Sequence, residues 1–196
     1  LGIGLRRAKS NFAKVDSTGT IRKLLLRARS VAAAGPVGVR TNAIACLAFA
    51  DFDGLQKTVS PLLDQHQPQS VQLAALETLD QFSAAPIADQ IIRRWPSFTP
   101  NIREVAMRVL LRRTTHTLAT LAAIERGAMM PGDIPFNRRA SLQRSKDQHV
   151  QKAAKRIFGH QTVIGRGEAL KKFQPALKLT GKAVPGRKVF EERCQT

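Results

Sequence analysis

Residues 68–79 read Pro-Gln-Ser-Val-Gln-Leu-Ala-Ala-Leu-Glu-Thr-Leu, and their spacing decides the fold class. Val71, Ala75 and Leu79 are four residues apart, which places them on one face of an α-helix. The same pattern of an aliphatic residue, a polar Arg or Gln, a central Ala and a large apolar residue recurs along the chain. Its copies begin at Val39, Val71, Ile102 and Val150. The small central Ala lets a neighbouring helix approach closely, so the pattern predicts packed helices.

The spacing of these copies indicates repeated helix pairs. The first three begin at positions 39, 71 and 102, about 31 residues apart, and the fourth begins later, at 150. The longer interval predicts an insertion near 128–146, filled by a loop and one short helix. A second apolar segment follows each of the first three copies: Leu55 to Leu63, Ile87 to Trp95 and Leu118 to Ile124. A period of this length with two helices per unit is typical of an α-solenoid of stacked antiparallel helix pairs.

Helix boundaries are marked by Pro, Gly and Thr. A Pro precedes each of the first three copies and fits the first turn of a helix, where its missing N–H costs nothing. Thr99 is a candidate N-cap for the third copy. The residues that mark boundaries are Pro36, Pro68 and Pro100 for the first helices, Gly54, Pro86 and Thr114 for the second helices, and Pro96 and Gly127 for helix ends.

The last residues carry a second motif. Gly186, Phe190 and Cys194 follow the spacing G-x-x-x-F-x-x-x-C. This resembles the helix of c-type cytochromes that leads into C-x-x-C-H. The resemblance implies that Cys194 is the first haem-attaching Cys, that Gly186 permits close helix packing and that Phe190 lies in the core beside the haem. The second Cys and the His would follow Thr196, so we expect haem only in a longer protein. The alternative is an amphipathic helix with one unrelated Cys.

The repeats resemble a known family as well. Residues 61–63, 68–76, 95–103 and 118–127 are similar to the HEAT-like region of large planctomycete-type secreted proteins. In that family a dehydrogenase-like β-propeller precedes the HEAT-like repeats and a c-type haem domain follows them. The resemblance covers roughly residues 36–196. It implies an extracytoplasmic protein, periplasmic or secreted, whose signal peptide lies outside this sequence.

The fold expected from both lines of reasoning is all-α. Residues 1–35 are predicted to form basic helices that make a first solenoid layer, and residues 36–160 the HEAT-like repeats. Residues 161–185 are predicted to be a linker with a short helix, and 186–196 the start of a haem domain. The expected function is a non-catalytic scaffold or protein-interaction region of a larger redox protein. Electron transfer and haem c would then belong to that parent, and the partners would be its other domains or a protein on the solenoid surface.

The net charge of +18 offers a different class of function, nucleic-acid binding by a basic α-solenoid. The distribution of charge weakens this alternative. Residues 1–35 hold eight Lys and Arg against one acidic residue, but residues 36–95 hold four against six. The basic residues are not interleaved with aromatic ones, as a stacking surface for bases would require. Nucleic acid is therefore the less favoured partner.

Motifs for catalysis or metal binding do not occur in the sequence. It contains no H-E-x-x-H, no P-loop, no G-x-S-x-G and no Cys and His spacing suited to zinc, so no catalytic or metal-binding residue is predicted. No apolar run is long enough for a membrane span. Cys46 is expected to be a small buried residue, and Arg112 with Arg113 a solvated helix end. The roles of His66, His116, His149 and His160 stay open between surface and capping positions.

Overall fold

The chain folds as two compact units, residues 1–159 and 160–196. The computed structural model describes residues 16–159, 170–171, 173–178 and 180–193. Within these ranges the regular secondary structure is helical, with no β-strand, so the predicted all-α class is confirmed.

The first unit contains nine α-helices in its described part. They are α1 (Thr20–Ala34), α2 (Val37–Leu47), α3 (Phe52–Val59), α4 (Gln69–Leu79), α5 (Pro86–Arg94), α6 (Pro100–Arg112), α7 (Thr114–Glu125), α8 (Phe136–Gln143) and α9 (Gln148–Phe158). Short 3₁₀ turns follow α3 at Ser60–Leu63 and α5 at Trp95–Ser97, and another lies at Pro131–Asp133 before α8. The predicted insertion near 128–146 thus contains a turn and one short helix, α8.

Helix packing follows the order of the pairs. The first helices of the predicted pairs are neighbours, because α4 packs against both α2 and α6. Of the second helices, α5 packs against α7, and α7 also packs against α6. The helix α1 covers α2, while α9 packs against α7 and α8.

The core lies where the predicted inward faces meet. Ala75 and Ala106, the central residues of α4 and α6, are completely buried, as the sequence predicts. The aliphatic and large apolar positions of α4, α6 and α9 are buried as well. Val39 departs from the pattern: it is 52% exposed, because neither α1 nor α4, the neighbours of α2, covers its side chain. The repeat residues predicted to face inward are therefore buried, except Val39 at the start of α2.

Helix starts match the predicted boundary residues with small shifts. Pro100 is the first residue of α6 and Thr99 is its N-cap, although the Thr99 side chain makes no capping hydrogen bond. Pro36 and Pro68 occupy N-cap positions one residue before α2 and α4. In α9 the cap is Asp147, whose Oδ1 accepts hydrogen bonds from the His149 and Val150 amides.

The second unit contains a 3₁₀ turn at Gln174–Lys178 and the helix α10, Ala183–Arg193. The helix begins three residues before Gly186, inside the segment predicted to be a linker. Pro185 is the third residue of α10, a position at which an α-helix needs no backbone N–H.

Candidate functional site

The helix α10 carries two of the three residues predicted to serve a haem domain. Gly186 has open space on its Cβ side, with no heavy atom within 4 Å of an added Cβ. Phe190 lies one turn further along the helix and is 59% exposed. Cys194, the predicted attachment residue, lies outside the described residues. The helix therefore places Gly186 and Phe190 on adjacent turns, and their predicted roles stay untested.

One face of α10 is apolar and uncovered. Ala183, Gly186, Val189 and Phe190 fall on the same side at helical spacing. Val189 and Phe190 are both more than half exposed. On another side of the helix Arg187 Nε donates a hydrogen bond of 2.9 Å to Glu191 Oε1. An exposed face of this kind is a surface on which further protein can pack.

A polar residue in each repeat has a role that the sequence did not reveal. The Arg or Gln directly after the aliphatic residue donates a hydrogen bond to a backbone carbonyl shortly before its own helix. The bonds run from Arg40 Nε to Ala32 O at 2.9 Å, from Gln72 Nε2 to Gln67 O at 2.8 Å, from Arg103 Nε to Trp95 O at 3.3 Å and from Gln151 Nε2 to Ser145 O at 3.4 Å. The position thus fixes the angle at which the chain enters each repeat helix.

Arg40 also links one helix pair to the next. Its Nη2 donates a hydrogen bond of 2.7 Å to Gln67 Oε1, just before α4. The residue is buried, and its charge is held by a carbonyl and an amide oxygen. Buried cations need hydrogen-bond partners to offset the loss of hydration, and here they are supplied by the last turn of α1 and by the connection before α4.

A larger polar cluster joins the α4–α5 connection to the junction of α6 and α7. The carboxylate of Asp80, which is largely buried, accepts a hydrogen bond from Arg112. Arg113 donates from Nε to the Phe82 carbonyl oxygen at 2.9 Å and from Nη2 to the Asp80 carbonyl oxygen at 2.7 Å. Arg112 and Arg113 lie at the end of α6, and Arg112 is exposed, as predicted for a solvated helix end. Both side chains also hold the loop between α4 and α5, which was not predicted.

His116 belongs to the same junction. It is buried, and its Nε2 lies 3.2 Å from the Ala84 carbonyl oxygen, so it contacts the same loop as Arg113. Its Nδ1 is buried and has no hydrogen-bond partner, and the same holds for Asp80 Oδ1. His116 Nε2 contacts the Ala84 backbone, and the Asp80 carboxylate contacts the Arg112 guanidinium. The cluster is therefore suited to holding the loop between α4 and α5 in place.

The remaining candidate side chains lie apart from one another. His66 Nδ1 lies 2.7 Å from Asp64 Oδ1 at the surface, and the His66 backbone N–H, followed by its ring, holds the pKa of Asp64 below its ordinary value. His149 is exposed on α9. Cys46 is exposed, not buried as predicted, because α2 turns it away from its neighbours. His160 lies outside the described residues.

Among the residues that the structure describes, no three His, Cys, Asp or Glu side chains are grouped so that they could hold a metal ion. None of the described helices has the length and apolar character needed to cross a membrane.

A cavity of about 690 Å³ lies beside the start of α1. Asp16, Arg22 and Arg29 line one side, and Phe49 and Asp51 the other. Its charges are mixed, and the Asp16 carboxylate is already engaged with the amides of the first turn of α1, Ile21 and Arg22, at 3.2 and 2.9 Å. The cavity therefore shows no preference for one kind of ligand.

Comparison with known proteins adds no relative. No protein-family model matches the chain, and no curated protein or solved structure matches it either.

Proposed function

We propose that this chain is a non-catalytic helical-repeat scaffold in which α2 to α7 stack as HEAT-like pairs. The observation that carries the proposal is the number of residues that separate the two partners of each side-chain hydrogen bond between neighbouring helix pairs. Thr78 Oγ1 donates to the Ile44 carbonyl oxygen 34 residues earlier, at 3.0 Å. Between α3 and α7, further bonds with offsets of 31 to 34 residues join Arg94 to Ser60, Arg112 to Asp80, Arg113 to Asp80 and Phe82, and His116 to Ala84.

A constant offset is what stacked repeats would produce. In a solenoid each unit contacts its neighbours, so equivalent positions meet at a separation of one repeat length. The sequence period is 31 to 32 residues, and the bonds fall at this value or within a few residues of it. In an α-helical fold without repeats the offsets between contacting side chains would follow the individual connections and would vary widely. The offsets therefore support stacking of similar units.

For the protein to which this scaffold belongs we propose a larger, extracytoplasmic redox protein with a c-type haem domain. The support is the sequence spacing of Gly186, Phe190 and Cys194, and the exposed apolar face of α10 formed by Ala183, Gly186, Val189 and Phe190. A first helix of a haem domain would present such a face to the remainder of that domain. The scaffold would hold neighbouring domains of the parent chain and offer surface to a protein partner, while electron transfer and haem c belong to the parent.

The stacking is tested by hydrogen exchange. Leu110 is completely buried in α6, and Leu110→Ala is expected to destabilise that helix by about 2–5 kcal/mol. In a stack of repeats the loss of amide protection should be large in α4 to α7 and small in α1 and α2, because units interact only with neighbours. Equal loss of protection throughout 16–159 would contradict the scaffold proposal.

The haem part is tested separately. A longer chain in which a second Cys and a His follow Thr196 should become red when it is expressed with a cytochrome-maturation system. Covalent attachment needs both thiols, so Cys194→Ser in that longer chain should abolish or cripple attachment. The 196 residues alone should stay colourless. If the residues encoded after Thr196 lack the Cys and His, the haem proposal fails and the scaffold proposal is unaffected.

A further inference from the structure

Three segments of the first unit meet at one edge, and contacts between their side chains establish this. The end of α9 lies beside the end of α7, because Arg156 Nε is 2.5 Å from Glu125 Oε1. The start of α8 lies beside the end of α9, because the Arg139 guanidinium carbon is 5.7 Å from the centre of the Phe158 ring. Arg139 Nε also donates to the Ile134 carbonyl oxygen at 2.7 Å, which fixes the turn before α8. We call this surface the α7–α9 edge.

The α7–α9 edge combines cations with protruding apolar side chains. Met130 and Phe136, on either side of the turn at Pro131–Asp133, are 68% and 60% exposed. The same segments carry five cationic residues, Arg126, Arg138, Arg139, Lys155 and Arg156, of which Arg139 and Arg156 already make the contacts described above.

Among the described residues of these segments the acidic side chains are engaged. Glu125 pairs with Arg156, and Asp133 Oδ2 accepts a hydrogen bond of 2.7 Å from the Met130 amide. The described part of these segments therefore carries more positive than negative charge.

The geometry points to the α7–α9 edge as a peripheral docking surface for an anionic lipid bilayer. At such a surface Lys and Arg are attracted to acidic headgroups, while Phe and Met side chains enter the boundary between headgroups and acyl chains. Long cationic side chains can reach the headgroups while their stems stay near the apolar region. The edge supplies both kinds of side chain on neighbouring segments.

Two other anionic partners fit the edge less well. The core of a protein interface is depleted of charge, yet on these segments the cations outnumber the exposed large apolar side chains. A nucleic-acid duplex would engage the cations through its phosphates, but it would leave Met130 and Phe136 exposed to water. A bilayer interface uses both, and for this reason we assign the edge to a lipid surface. The assignment does not depend on the stacking of repeats or on haem.

The experiment measures co-sedimentation of the full chain with vesicles of phosphatidylcholine alone and with vesicles that contain one third phosphatidylglycerol. Because the chain carries a net charge of +18, some attraction to anionic vesicles is expected from charge alone, and matched variants are needed. Arg138→Glu with Lys155→Glu alters the edge. Lys23→Glu with Arg27→Glu makes the same change of charge on exposed positions of α1. Phe136→Ser at the edge is matched by Leu24→Ser on α1, where Leu24 is 59% exposed.

We expect binding to the anionic vesicles, with affinity reduced at least about ten-fold by the edge charge variant and no more than about two-fold by the α1 charge variant. Phe136→Ser should weaken binding several-fold and Leu24→Ser should not. Helical circular dichroism confirms that each variant is folded. Absence of vesicle binding, or equal losses in edge and α1 variants, would overturn the assignment. So would a duplex DNA that binds the edge more tightly than the vesicles do and is released by Arg138→Glu but not by Phe136→Ser.

Discussion

Thr78 Oγ1 donates a hydrogen bond of 3.0 Å to the carbonyl oxygen of Ile44, which joins α4 to α2 across two successive helix pairs. Both residues are buried, so the bond forms where water cannot replace it. A directional hydrogen bond of this type fixes the position of α4 along α2, which apolar packing alone does not specify.

Ala75 should tolerate no large side chain. It is completely buried on α4, between α2 and α6, so Ala75→Arg would overpack the contact and bury an unpaired charge. We expect a loss of about 3–5 kcal/mol in the free energy of unfolding, measured by urea denaturation. Ala45→Arg, at an exposed position of α2, is the control and should change stability by less than about 0.5 kcal/mol. Equal stability of the two variants would refute the prediction that Ala75 lies on the buried face of α4.

The ion pair between Asp80 and Arg112 should contribute more to the free energy of unfolding than the ion pair between Glu77 and Arg108 does. Asp80 is largely buried, whereas Glu77 and Arg108 are both more than half exposed and 3.9 Å apart. Asp80→Ala is expected to cost about 1–3 kcal/mol and Glu77→Ala less than about 0.5 kcal/mol. Thermal melts of both variants test this difference, and a larger cost for Glu77→Ala would contradict the role assigned to the polar cluster.

Two glycines should respond to Ala with opposite signs. Gly38 lies within α2 with no atom near an added Cβ, so Gly38→Ala should stabilise the protein by about 0.5–1 kcal/mol. Gly127 follows α7 with a φ of +75°, a conformation that costs an L-residue about 1–2 kcal/mol. Gly127→Ala should therefore destabilise, and chemical denaturation of the two variants side by side would show whether the signs differ.

The first turn of α1 should be sensitive to acid, because the Asp16 carboxylate accepts hydrogen bonds from its amides. The amide of Arg22 above all holds the pKa of Asp16 below its ordinary value of 3.8, so the folded chain favours the carboxylate. The stabilisation is present above pH 3.8 and is lost as pH falls through the lower pKa of the folded state. Asp16→Asn keeps an acceptor without the charge, so its melting temperature should lie below that of the parent at neutral pH. The difference should vanish in acid, and a difference that grows on acidification would contradict a role of the Asp16 carboxylate in stabilising this turn.

Binding to duplex DNA should be weak, without sequence preference and strongly dependent on salt. The Lys and Arg residues that exceed the acidic ones lie toward both ends of the chain, and counterion release from phosphates is the only attraction expected. We expect a dissociation constant no tighter than about 1 μM at physiological salt, measured by fluorescence anisotropy with unrelated duplexes. A tight complex with one sequence at that salt concentration would favour the nucleic-acid alternative over the scaffold.

The helical elements and much of the core could be predicted because they depend on local spacing. Residues four apart share a helix face whatever the rest of the chain does, so Val71, Ala75 and Leu79 were placed in the core correctly. Val39 and Cys46 were placed wrongly because burial also depends on which neighbours cover a face. The candidate haem residues come from a motif, and Cys194 lies outside the described residues.

What the sequence determined by itself is the all-α class and the approximate bounds of several helices, because a hydrophobic period and Pro or Gly at boundaries act within a few residues. Only the tertiary structure placed Arg112, Arg113 and His116 on the loop of the preceding pair, and Arg139 on Phe158. These contacts join residues on separate segments of the folded chain. Their partners are chosen by how helices pack, and no local pattern specifies which carbonyl, carboxylate or ring a long side chain will reach.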